Sequence, residues 1–180
     1  MSKSQITKEN LLEQGKRLFW ARGYSNVPLR EISKAAGVDV ALISRYFGGK
    51  LQLFEATLDD LPVIDPNLFP NTDALITAIV GLFVNAPRDG TSTSAVTMIL
   101  MNAGDEEVGE MVREKYHQNW QTSLDEIIGD KSKSALFSAA VLGISIAEKT
   151  LHLDGIAEPK TKEYENQLRS LLRVALGDAT

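Results

Sequence analysis

Residues 29–50 read LREISKAAGVDVALISRYFGGK, and this stretch decides the fold. Gly37 stands between two short segments with apolar residues at helical spacing: Ile32 and Ala36 before it, Ile43 and Phe47 after it, with Val38 at the corner. A glycine can take the positive φ that turns a chain between helices. Ser33 is small enough for a second helix to cross close over it. Two short helices joined by a glycine-containing turn make a helix-turn-helix. The second helix would show solvent Val40, Ala41, Ser44 and Arg45. Such a face is odd in water and sensible in a DNA major groove. There small apolar groups can touch thymine methyls, a hydroxyl can donate or accept, and arginine can pair with guanine or a phosphate.

Outward from this stretch nearly everything reads as helix. Residues 7–22 carry Leu11, Leu12, Leu18 and Phe19, with Thr7 as the N-cap, Gly15 interrupting and Gly23 as the stop. Pro28 opens a helix over 28–36, and Asp39 caps the next over about 39–46. A fourth runs from about 50 to 61, with Leu51, Phe54, Leu58 and Leu61 inward. The proline-rich PVIDPNLFPN (62–71) reads as a linker. Beyond it, helices are predicted at about 72–85, 92–103, 106–128, 132–153 and 160–177, with breaks that include Pro87-Arg88-Asp89-Gly90. No run alternates as a strand would. The expected architecture is all-α: an N-terminal three-helix domain with the helix-turn-helix (1–49), a connecting helix (50–61), and a C-terminal helical bundle (62–180).

The net charge of −5 conceals an asymmetry. Residues 1–50 hold nine Lys/Arg against four acids, a net of +5, and the remainder carries −10. A basic first quarter on an acidic body points to a polyanion at one end. There is no cysteine, which excludes disulfides and thiolate metal sites and fits a cytoplasmic protein. No apolar run approaches the roughly 18 residues of a membrane-spanning helix, and MSKSQITKEN lacks a signal-peptide core.

The stretch LREISKAAGVDVALISRYFGGKLQLFEATL (29–58) resembles the tetracycline-repressor (TetR) family of bacterial transcriptional regulators. The matching positions are Arg30, Ile32-Ser33, Gly37-Val38, Tyr46-Phe47 and Lys50, and LFWARGY (18–24) is similar to the family's aromatic-rich end of the preceding helix. The motif match covers about residues 7–60. The resemblance implies that Arg30 looks into the groove, that Val40 and Ala41 sit where bases are read, and that Tyr46 and Lys50 hold phosphates. Lys50 also begins a helix, whose N–H groups and dipole add attraction for a phosphate. Two departures stand out. The family often has tyrosine where this chain has Ser44 and a hydroxyl residue where it has Leu42, so some backbone contacts shift to Arg45. Val27 and Pro28 also replace the usual hydroxyl before the first motif helix.

A single short recognition helix rarely binds tightly, and dimers present two of them one DNA turn apart. In SALFSAAVLGISIAEKTL (134–151) apolar and small residues surround the helix, which would bury more than one side. Ala139, Gly143 and Ile146 are candidates for a homodimer interface, with Leu168 and Leu172 from the last helix; the resemblance implies a four-helix bundle there. It also implies a pocket for a small apolar or amphipathic ligand. Phe83, Met98, Met101, Met111, Tyr116 and Trp120 are its candidate lining, and Asn102, His117 and Asn119 its candidate polar anchors.

The expected function is that of a ligand-responsive transcriptional repressor, binding a double-stranded DNA operator. No cofactor or metal is called for. His117 and His152 are far apart in sequence, and no HExxH, GxSxG or glycine-rich phosphate loop is present, so an enzyme is not expected. The acidic EEVGE (106–110) reads as a solvated helix start. The alternative is an interaction protein whose helix-turn-helix binds another protein.

Overall fold

The computed structural model describes residues 2–86 and 94–178. The described residues are helical, with no strand. The helices are α1 (Lys3–Arg22), α2 (Leu29–Ala36), α3 (Ala41–Phe47), α4 (Lys50–Leu58), α5 (Thr72–Val84), α6 (Ala95–Asn102), α7 (Gly109–Tyr116), α8 (Thr122–Ile128), α9 (Lys131–Lys149) and α10 (Lys162–Ala175). The turn expected at Pro87–Gly90 lies outside the described residues.

The chain forms two compact units. The first comprises Met1–Pro62 and Asp89–Tyr116, so α6 and α7 return to the helices that open the chain. Its core gathers Leu11, Phe19, Ile32, Ile43, Leu53, Phe54 and Leu58, all fully buried. Phe19, Tyr24 and Phe54 form an aromatic cluster with ring centroids 5.3–5.7 Å apart. Two of the three pairs meet edge to face, which suits their quadrupoles. Gly15 is a packing position: a Cβ there would lie 3.3 Å from the Leu53 side chain, so its absence lets α4 come close to α1.

α1 starts earlier than the apolar pattern implies. Ser2 is the N-cap, its hydroxyl accepting from the Gln5 N–H at 3.2 Å. Thr7 lies inside the helix and donates to the Lys3 carbonyl. The polar first turns carry no inward apolar residue to mark them, yet they do not oppose helix. The helix expected over 106–128 is also divided. α7 ends at Tyr116, one wide turn spans His117–Gln121, and α8 follows.

The second unit comprises Val63–Arg88 and His117–Thr180 and holds α5, α8, α9 and α10. Leu75, Ile76, Val80, Phe137, Tyr164, Leu168 and Leu172 form its interior. The wide turn brings Gln121 to a polar cluster. Its amide donates to Asp125 and Ser134, and its carbonyl accepts from Ser138 at 3.0 Å. Ser134 also donates to Asp125, and these hydrogen bonds hold the Asp125 carboxyl below its ordinary range.

Candidate nucleic-acid interface

The corner between α2 and α3 depends on Gly37, which takes φ 68° and ψ 32°. Its N–H and that of Val38 return to the α2 carbonyls of Lys34 and Ser33, closing the helix end. Asn10 of α1 adds a bond to the Ala36 carbonyl at 3.0 Å and fixes α2 on α1. Asp39 accepts from the Ala41 N–H at 2.7 Å, so the expected cap acts at the start of α3.

Ile43 is the fully buried side of α3. Ala41, Ser44 and Arg45 are exposed, and Val40 is 37% exposed at the entry to the helix. The four residues therefore share one solvent-facing surface. Arg30 is exposed at the start of α2. Tyr46 is half-buried, and its hydroxyl accepts from Ser4 at 3.1 Å. Leu42 is half-buried too, so the departure at that position supplies packing.

Lys50 does not extend into solvent. Its ammonium lies 4.2 Å from the centre of the Tyr24 ring, and the Tyr24 hydroxyl donates to Glu107 at 2.7 Å. Burial pushes the Lys50 pKa down, while Glu107 and Asp105 oppose the shift. Burial raises the Tyr24 pKa, and the bond to Glu107 raises it further.

The sequence reading missed the contribution of α1's first turns. Besides Ser4, Lys8 reaches the recognition helix, 5.6 Å from the Phe47 ring centre. The available signal is the basic charge of Lys3 and Lys8 in SKSQITKEN, which belongs to the basic first quarter but does not by spacing point to a contact with α3.

The expected ligand residues fall in both units. Met98, Met101, Met111 and Tyr116 belong to the first, Phe83 and Trp120 to the second. Met98 is fully buried, while Met101 is 44% exposed. Asn102 does not stand ready as a ligand anchor: its side chain is already bonded to Tyr24, Phe19 and Met98. On α9, Ala139, Gly143 and Ile146 lie on the exposed side with Leu136. Leu168 and Leu172 instead point into their own unit's core, and α10 exposes Leu171 and Val174. The two stripes lie side by side on one amphipathic helix, and packing against the unit's interior selects the first.

A short helix, a left-handed glycine corner and a second helix with a small, basic outer face define a helix-turn-helix protein. Residues 11–57 match the family described as bacterial regulatory proteins, tetR family. The N-terminal module thus carries that family's sequence signature. It is 47% identical over 49 residues to the probable HTH-type transcriptional regulator YttP of Bacillus subtilis (strain 168). That match covers 27% of this chain and spans about a quarter (24%) of the length of YttP. The fold is shared over nearly the whole length with NalD of Pseudomonas aeruginosa, the secondary repressor of the MexAB-OprM multidrug efflux pump: TM-score 0.66, 16% identity, 98% of this chain and 97% of that one. A mutant HlyIIR protein is similar at TM-score 0.59 and 23% identity, over 94% of this chain and 98% of its own. Among the described residues no helix is long and apolar enough to cross a membrane, and no cluster of residues could hold a metal ion.

Proposed function

We propose that this protein is a homodimeric, sequence-specific DNA-binding regulator that represses transcription and leaves its operator when a small apolar or amphipathic molecule binds the helical body. The observation that carries the reading is the outer face of α3. Val40, Ala41, Ser44 and Arg45 are presented together on a buried Ile43 anchor. A helix with such a face fits the major groove, and its small side chains let the backbone approach the base edges. Arg30 and Arg45 supply guanidinium groups, while Tyr46 and Lys50 serve phosphates. The exposed apolar stripe of α9 supports pairing of two copies, which would set two recognition helices one DNA turn apart. NalD's role as a repressor supports the direction of regulation.

Release by ligand requires only that the ligand favour a conformer whose recognition helices are wrongly spaced. Selection of bound duplexes from a random pool by the purified protein tests the reading. A two-fold symmetric enriched site is expected. Failure to enrich any site, repeated after refolding to remove a co-purified ligand, would turn the case toward protein binding by the helix-turn-helix.

A further inference from the structure

Lys50 has one charge and two claimants. The first is the DNA phosphate assigned to it above. The second is built into the first unit itself, at the corner between α6 and α7. Asn102 ends α6 and accepts from the Tyr24 N–H. Asp105 accepts from the Ser25 hydroxyl at 2.6 Å and from the N–H groups of Glu107 and Val108. Glu107 is thereby set opposite the Tyr24 hydroxyl, and the Tyr24 ring lies under the Lys50 ammonium. A cation this close to an aromatic face is attracted to it, and more strongly when partly desolvated.

We propose that Tyr24 and Glu107 are positioning residues for DNA binding, holding the Lys50 ammonium back from the phosphate so that the negative charge of Glu107 restrains affinity for every DNA sequence. The inference rests on the DNA-binding reading and adds to it a competitor inside the protein. The attraction between Lys50 and the acidic corner is lost when the ammonium turns to DNA, and that loss is subtracted from binding. The restraint carries no sequence information, because a phosphate contact carries none. The Glu107 carboxylate accepts from the Tyr24 hydroxyl, and an amide oxygen can take over that bond, so its charge can be removed with little harm to the fold.

The test is Glu107→Gln, which keeps an oxygen for the Tyr24 hydroxyl and removes the charge. Affinity would be measured by fluorescence anisotropy on a mixed-sequence duplex of about 30 base pairs, at several salt concentrations. Glu107→Gln should bind about 2- to 5-fold tighter, the size expected of one partly exposed charge pair. The gain should disappear in a Lys50→Met background. Glu110→Gln, an equal charge change elsewhere on the same segment, should give a smaller effect. No gain, or an equal gain in the Lys50→Met background, would overturn the inference while leaving DNA binding intact. Lys50→Met itself should lower the salt slope by about one unit; an unchanged slope would show that Lys50 reaches no phosphate. No duplex binding by the unaltered protein would instead overturn the DNA-binding reading, and this inference with it.

Discussion

The Asn102 side chain accepts a hydrogen bond from the Tyr24 backbone N–H at 2.7 Å, binding the end of α6 to the turn that follows α1. Its amide nitrogen donates to the carbonyls of Met98 and Phe19 at 2.8 and 3.3 Å. The residue is fully buried, so none of these groups has water to fall back on. Asn102→Ala should therefore destabilise the protein by about 1–3 kcal/mol, the cost of unsatisfied buried polar groups. Asn102→Asp keeps an acceptor for Tyr24 but loses both donors and buries a charge. At neutral pH it should be the worse variant, recovering as acid protonates the new carboxyl and restores a donor. Urea unfolding of the three proteins at two pH values measures both effects. A neutral Asn102→Ala would mean that Tyr24 finds another acceptor.

Gly37 is needed for its backbone angle alone. A Cβ there would meet nothing within 4 Å, but φ is +68°. Gly37→Ala should lose about 1–2 kcal/mol, the penalty of the left-handed region for an ordinary side chain. Gly37→Asn should lose less, because asparagine tolerates that region. Equal stability of all three would show that the corner relaxes out of the left-handed conformation.

The parts of this structure legible in the sequence share a cause. Gly37 and the inward Ile32, Ile43 and Phe54 are local signals, because a turn and a helix period lie within a few residues. The relationships that escaped are long-range. Nothing near Asn102 announces that its partner is Tyr24, 78 residues away. The three methionines suggested a cavity, yet Met98 is fully buried in the interior of the first unit. Lys50 was readable as a helix-start cation and not as a lysine turned onto an aromatic ring. Leu168 and Leu172 could not be told from Leu171 and Val174 by spacing, since each pair lies on an apolar stripe and only packing chooses the inner one.

The outer face of α9 makes a prediction about assembly. Gly143 is exposed, and a Cβ there has nothing within 4 Å in its own chain. Gly143→Leu therefore has room in a lone protomer, where helix propensity even favours it. It should collide only with a second copy. Sedimentation velocity should show the unaltered protein as a dimer and Gly143→Leu shifted toward monomer, with the circular dichroism of the helices retained. A variant that remains dimeric would move the interface off this face of α9.

Arg30 decides whether α2 reads bases or only positions the protein. It is exposed at the start of the helix, so its loss should leave stability within about 0.5 kcal/mol. If its guanidinium pairs with a base edge, Arg30→Ala should cost about 1–3 kcal/mol on the selected operator and relax preference at one position of each half-site. Arg30→Lys separates this from a phosphate contact. Lysine keeps the charge but not the planar fork, so it cannot restore a bidentate base contact, whereas it largely restores attraction to a phosphate. Binding by the three proteins to the operator and to its single-base variants gives the answer. Equal weakening on every sequence, rescued by lysine, would move Arg30 from base reading to backbone positioning and leave sequence recognition to α3 alone.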